Sequence, residues 1–196
     1  PGSFRSSRRL NPNPTVSSMA IKATIFKADL QIADMDRNYY AEHSLTLARH
    51  PSETDERMMV RLLAFAMFAH DQLGFGKGMC ADDEADLWQK DLTGVIELWI
   101  DVGLPDEKWT RKACGRARQV VLVSYGGRTA DMWWSANQSK YLRQDNLRVF
   151  NLPPESTQAL AALANRTMRL QCSIQDGQIW ITDTQSTVHI EPLQLR

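Results

Sequence analysis

Hydrophobic and polar positions alternate through Ala23–Ile32 (ATIFKADLQI) and again through Tyr39–Ala48 (YYAEHSLTLA), with the polar stretch Asp34–Asn38 between them. A period of two marks a half-buried strand, so this region predicts an antiparallel hairpin. After His50-Pro51-Ser52 the period changes. Met59, Leu62, Leu63, Ala66, Ala69 and Leu73 recur at helical spacing, which predicts a helix over Glu53–Leu73 with Ser52 as its N-cap. Glu53, Asp55 and Glu56 crowd its first turn, where the helix dipole favours acids, and Gly74, Gly76 and Gly78 follow its end.

Ala85–Val102 alternates again and predicts a second hairpin. Pro105 and Asp106 open a helix running to about Arg118. Gln119–Tyr125 (QVVLVSY) is apolar without interruption, the pattern of a strand buried on both faces and parallel to its neighbour. Strand, helix and apolar strand make a βαβ crossover, and Gly126-Gly127 closes it where sites of α/β proteins gather. Further on, the pattern predicts a short helix at Thr129–Gln138, a strand at Leu147–Leu152 and a helix at Pro154–Asn165. A hairpin of Met168–Ile174 and Gln178–Asp183 turns at Asp176-Gly177, and Val188–Leu195 adds an edge strand limited by Pro192. The expected fold class is α/β, a mixed β-sheet with helices on its faces. Pro1–Ser18 (PGSFRSSRRLNPNPTVSS) has no apolar stretch of signal-peptide length and is expected to be a disordered tag or upstream extension. Residues 19–196 are expected to form one domain.

Composition narrows the function classes. Lys and Arg number 23 and Asp and Glu number 23, so the formal net charge is zero. That argues against a uniformly basic coat for nucleic acid or a polybasic membrane binder, while leaving room for a local basic patch. No apolar run reaches the roughly 18–20 residues of a membrane span. Cys80, Cys114 and Cys172 lie far apart with no CxxC, which fits small buried residues in a reducing cytoplasm. The four histidines show no metal-ligand spacing.

Candidate chemistry sits in Glu84–Gly103 (EADLWQKDLTGVIELWIDVG). A two-residue turn at Thr93-Gly94 sets Lys90 opposite Glu97, Trp88 opposite Trp99 and Asp86 opposite Asp101. Leu87, Ile96, Leu98, Ile100 and Val102 then share the core face. Opposed side chains in a hairpin have Cβ atoms ~4.5–5.5 Å apart, and like charges there destabilise it. The aspartates therefore call for a shared proton or a divalent cation. The alternative is another register, or a hairpin end splayed into solvent.

The whole body resembles the YaeQ family, within the PD-(D/E)XK nuclease superfamily. The resemblance is carried by Ser44–Met58 (SLTLARHPSETDERM), Cys80–Asp86, Leu98–Asp106 (LWIDVGLPD), Lys112–Ala113, Trp133–Trp134 and Asn137–Lys140 (NQSK). It implies a restriction-endonuclease-like core: a helix, a hairpin bearing the acids, a second helix and a further strand. Asp86 matches the PD aspartate, with Ala85 where the family often has proline, and Asp101 matches the second acid. With the backbone carbonyl of Val102 these would hold Mg2+ or Mn2+. The position of the motif lysine is Gly103. Some members move this lysine to the next helix, and Lys112 matches that pattern, with Lys108 four residues earlier on the same face. The superfamily's helix acid would be Glu56 or Glu53; Glu84 would be an outer ligand, and Gln138 and Lys140 phosphate contacts.

Two readings of function follow. In the first, Asp86, Asp101, Lys112 and Glu56 form the catalytic set of a Mg2+- or Mn2+-dependent nuclease acting on DNA or RNA. In the second, the fold is catalytically inactive and serves as a nucleic-acid- or protein-binding accessory factor, for instance in transcription. Trp88, Trp99, Trp133 and Trp134 either stack on bases or pack beneath helices.

Overall fold

The computed structural model describes residues 22–77 and 83–196. The expected tag at 1–18, Gly78 and Cys80 lie outside the described residues. The chain runs β1 (Thr24–Asp34), β2 (Tyr39–Arg49), α1 (Asp55–Met67), β3 (Leu73–Phe75), β4 (Leu87–Lys90), β5 (Ile96–Val102), α2 (Glu107–Arg116), β6 (Ala117–Ser124), α3 (Arg128–Tyr141), β7 (Leu147–Asn151), α4 (Pro154–Ala161), β8 (Thr167–Gln175), β9 (Gln178–Thr182), β10 (Thr187–Ile190) and β11 (Leu193–Gln194). No helix among the described residues is long and apolar enough to cross a membrane.

The strands form two mixed sheets, where the pattern predicted one. The first has the order β10-β9-β8-β1-β2 and the second β11-β7-β6-β5-β4-β3. The C-terminal hairpin joins the N-terminal one because β8 lies parallel to β1, from Lys27 opposite Thr167 to Asp34 opposite Ile174. Local periodicity carries no information on such a long-range pairing. The strand expected over Val188–Leu195 is divided at Pro192, which has no N–H to donate. Its first half, β10, pairs with β9 and its second, β11, with β7. The expected βαβ crossover is present: β5, β6 and β7 run parallel.

α1 lies between the sheets. Met58–Ala66 are buried without a break, and a helix apolar all round belongs in a core. One cluster joins Phe26, Leu30 and Ile32 of the first sheet, α1, and Leu98, Ile100, Val121 and Val123 of the second. The opposite face of the second sheet packs Trp99, Val120, Leu122 and Val149 against Ala113 of α2 and Tyr141 of α3. The helix is shorter than predicted at both ends. Thr54 rather than Ser52 is the N-cap, accepting the Arg57 N–H at 3.1 Å. Arg37 donates to the carbonyls of Ala66 and Ala69 at its C-terminus, at 3.4 and 3.1 Å. Leu73, expected as the last helical residue, opens β3 instead.

Arg61 is the one cation in this apolar run, and it is 1% exposed. It pairs with buried Glu53 through Nε and Nη2, both at 2.8 Å, and Nη2 also reaches the Ala48 carbonyl of β2 at 3.1 Å. Removing one member of a buried pair strands the other without solvent. Glu53→Ala is expected to lower unfolding free energy by about 3–5 kcal/mol in urea denaturation, against about 1 kcal/mol for loss of the cap in Thr54→Ala.

Candidate functional site

The acid hairpin reaches the predicted register by a different route. The turn is a three-residue loop: the Asp91 N–H donates to Val95 O at 2.9 Å, and Gly94 takes φ +89°. The Asp91 carboxylate accepts from the backbone N–H groups of Thr93 and Val95, at 2.8 and 2.9 Å. This shifts the pairing by one residue, so Lys90 faces Ile96. Glu97 bulges, which shifts it back, and Gln89–Leu98, Trp88–Trp99 and Leu87–Ile100 pair as expected. The expected Lys90–Glu97 pair is thus corrected. Lys90 Nζ lies 3.5 Å from the centre of the Trp88 ring, and Glu97 meets Arg118 at 3.3 Å. Ile96, expected on the same face as Leu98, turns into the opposite cluster for the same reason.

Asp86 and Asp101 are therefore brought together, both buried, at the end of the hairpin. The Asp86 N–H donates to Asp101 Oδ1 at 3.3 Å. Gly76 fixes this end, with its N–H on the Asp86 carbonyl at 2.9 Å. A Cβ on Gly76 would stand 2.0 Å from the Ala85 carbonyl oxygen, so only glycine permits the approach.

The two carboxylates have different partners. Asp86 faces Arg57 of α1, whose Nη2 lies 2.8 Å from each carboxylate oxygen and 3.4 Å from the Val102 carbonyl. The Val102 N–H adds a bond to Asp86 Oδ2 at 2.8 Å. Arg57 is itself held by Glu53 through Nη1 at 3.0 Å. Burial works against the charge on Arg57, but Asp86 and Glu53 outweigh it and raise the guanidinium above its ordinary range. Asp101 receives two indole N–H groups on Oδ2, from Trp99 at 2.8 Å and Trp109 at 2.7 Å. Burial, reinforced by the Asp86 charge, pushes Asp101 up to about 6 against the pull of both indoles.

The donor set implied for a metal is all oxygen, which suits Mg2+ or Mn2+ by type. As placed, however, Asp86 and the Val102 carbonyl converge on a guanidinium nitrogen, and Asp101 Oδ2 is occupied by two donors. No three His, Cys, Asp or Glu side chains among the described residues gather as a metal-holding group. The arrangement fits a cation supplied by the protein and does not fit a divalent ion.

Gly103, at the motif-lysine position, has φ +105°, a conformation that a lysine there would adopt only under strain. Lys112 on α2 pairs with Asp83, and its Nζ lies 5.4 Å from the centre of the Trp109 ring. It approaches Asp101 only through that indole. Lys108 is exposed and lines, with Asp106, Trp109, Arg111 and Lys112, a groove of about 420 Å3. Glu53 belongs to the arginine network, whereas Glu56 accepts the Thr157 hydroxyl at 2.6 Å. Glu84 turns to Lys77, and Gln138 and Lys140 are exposed on α3. Trp99 is buried in the core, and half-buried Trp133 packs against the same cluster and donates to the Pro105 carbonyl at 2.8 Å. Burial pushes the Cys114 and Cys172 thiols up to about 11 and about 12, which disfavours the thiolate form at both.

Sequence reasoning missed Arg57, Trp109 and Tyr125. The half-buried Tyr125 phenol is raised by burial, with the Arg57 charge working against the shift and the charges of Glu56, Glu53 and Asp86 adding to it. The missed signal was the four-residue spacing of Glu53, Arg57 and Arg61, an acid just ahead of the N-cap in line with two arginines on one face of a helix running into an apolar core.

A carboxyl raised in the folded state stabilises the fold when protonated. The stabilisation is complete below the unfolded value near 3.8 and is lost as pH rises through about 6. This predicts that the parent loses roughly 3 kcal/mol between pH 4 and 7 that Asp101→Asn retains, at about 1.4 kcal/mol per pH unit. Tryptophan fluorescence of the parent should titrate near pH 6 and that of Asp101→Asn should not.

Residues 19–192 match the family described as "YaeQ protein". The "Uncharacterized protein YaeQ" of Escherichia coli (strain K12) is 49% identical over 172 residues, covering 88% of this chain and 95% of that protein. Its counterpart in Salmonella typhi is 47% identical over 173 residues, covering 88% and 96%. The crystal structure of the YaeQ protein from Xanthomonas axonopodis pv. citri is similar at a TM-score of 0.87 and 52% identity, over 89% of this chain and 98% of that one. The YaeQ structure from Pseudomonas syringae gives 0.85 at 32% identity, over 89% and 96%. With the family match, close to half of its residues identical to these relatives and the fold shared with two solved members, the chain belongs to the YaeQ family.

Proposed function

We propose that this chain is a PD-(D/E)XK-like protein that has kept the acid pair for structure and binds nucleic acid without cleaving it, as an accessory factor. One observation carries this reading: Arg57 Nη2 stands where Asp86 and the Val102 carbonyl would meet a metal. A divalent ion there would have to expel a guanidinium that Glu53 also holds, and two like charges would then compete for one buried carboxylate.

Binding is supported by α2 and the start of β6. Lys108, Arg111, Lys112, Arg116 and Arg118 are exposed along them, and Trp109 lies in the groove they flank. Cations beside an aromatic surface suit a phosphate backbone with unstacked bases. Arg111 is tied to Glu107 at 3.7 Å and Lys112 to Asp83, so the patch is local and agrees with a net charge of zero.

The juxtaposed aspartates favour a second reading, Mg2+- or Mn2+-dependent hydrolysis of phosphodiesters with Lys112 as the migrated lysine. One set of samples separates the two. Fluorescence anisotropy with single- and double-stranded DNA and RNA oligonucleotides should show binding that weakens with salt. In Lys108→Glu/Lys112→Glu it should weaken at least about tenfold, with no strand scission in Mg2+ or Mn2+. Scission that disappears in Asp101→Ala would replace this reading with the second. Absence of binding to all four oligonucleotides would overturn nucleic acid as the partner.

A further inference from the structure

Each sheet has two edges, and three of these four edges end in short strands. β11 has two residues, β3 has three and β10 has four. The fourth is β2, with eleven. Among the described residues β2 pairs with β1 alone, in an unbroken register from Thr24 opposite Arg49 to Asp34 opposite Tyr39. Natural edge strands are usually blunted by brevity, proline, lysine or a bulge. Tyr39–Arg49 has no proline, no lysine and no bulge.

The direction of its free backbone groups follows from one contact. The Ala48 carbonyl accepts Arg61 Nη2 and so faces away from β1. Alternate residues of a strand share that direction, so the N–H and C=O of Tyr40, Glu42, Ser44 and Thr46 also face outward.

A second observation lies along the same edge. The inward side chains of β1, such as Ala28 and Leu30, are 1% exposed. Of the inward side chains of β2, Leu47 is buried, but Tyr39, His43 and Leu45 are only half-buried. Phe65 of α1 touches His43 at 5.0 Å and Phe75 of β3 at 5.7 Å, so the core thins where the two sheets' edges flank the helix. A strand added to β2 would cover this strip.

We propose that β2 pairs antiparallel with β2 of a second copy of this chain, joining the two five-stranded sheets across a two-fold axis at Ser44. Ser44 is the midpoint of the strand, so this register uses its whole length. It sets Glu42 opposite Thr46 and Tyr39 opposite Arg49, and no like charges meet. It forms about six hydrogen bonds between the copies, through Glu42, Ser44 and Thr46. The same residues serve both sides, as a two-fold interface requires.

Sedimentation equilibrium of the full chain from about 1 to 100 µM tests this. The expected mass is twice 22.3 kDa, with dissociation on dilution. Ser44→Lys places two ammonium groups opposite each other at the axis and should raise the dissociation constant more than about tenfold. Thr46→Pro removes an outward N–H that β1 does not use, and should do the same. Both should keep the parent's circular dichroism, and its thermal midpoint at dilutions where the parent is itself monomeric, and Thr167→Lys, on the same sheet face but inside the sheet, should leave the dimer intact. A monomer at every concentration, or a dimer that persists in both edge variants, would overturn the proposal.

Discussion

The buried arginine row of α1 is the interaction on which this structure depends. Arg61 reaches β2 of the first sheet, and Arg57 reaches Asp86 and Val102 of the second. Glu53 joins them, accepting from both guanidinium groups. Apolar packing against α1 is non-directional and would tolerate the sheets at many angles. Two hydrogen-bonded ion pairs on one face of the helix, one reaching towards each sheet, fix how that helix meets both. Their net contribution to stability is small, because removing four charges, Glu53, Arg57, Arg61 and Asp86, from water offsets most of the Coulomb attraction. Their contribution to geometry is not.

The same row decides what the acid pair does. Two opposed aspartates at the end of a hairpin are a liability unless something neutralises them. Here the two carboxylates are treated differently. Asp86 is paired with Arg57 through both carboxylate oxygens. Asp101, buried between two indoles, is raised to about 6 and is easily protonated. The Arg57 guanidinium on Asp86 and two indole N–H groups on Asp101 hold the carboxylates together without supplying a Lewis acid or an activated water. Gly103 agrees with this, since its positive φ disfavours the lysine such chemistry needs.

Much of this was legible in the chain. Period-two and helical patterns located nearly every strand and helix, and the acid pair followed from hairpin register alone. That register was right because two errors cancelled: the turn has one more residue than expected, and Glu97 absorbs the shift. The bulge had no clear signature, and its cost was the misassigned Lys90–Glu97 pair. The division into two sheets was not legible, since β8 finds β1 across more than a hundred residues and periodicity reports only local order. Arg57 was missed for a different reason. Arg57 lies within the stretch Ser44–Met58 that carries the resemblance, but the motif directs attention to acids and a lysine, and the neighbouring Glu53 and Glu56 drew it away from the arginine beside them. Arg61, a lone cation among apolar residues, was the visible sign that α1 carries buried charge.

The central claim is that Arg57 is the resident cation of the acid pair. Calorimetric titration of Mn2+ into the full chain at neutral pH tests it most directly, with Asp86→Asn beside the parent. No heat beyond dilution in either protein is the predicted result. One Mn2+ bound per chain by the parent and lost in Asp86→Asn would contradict the account.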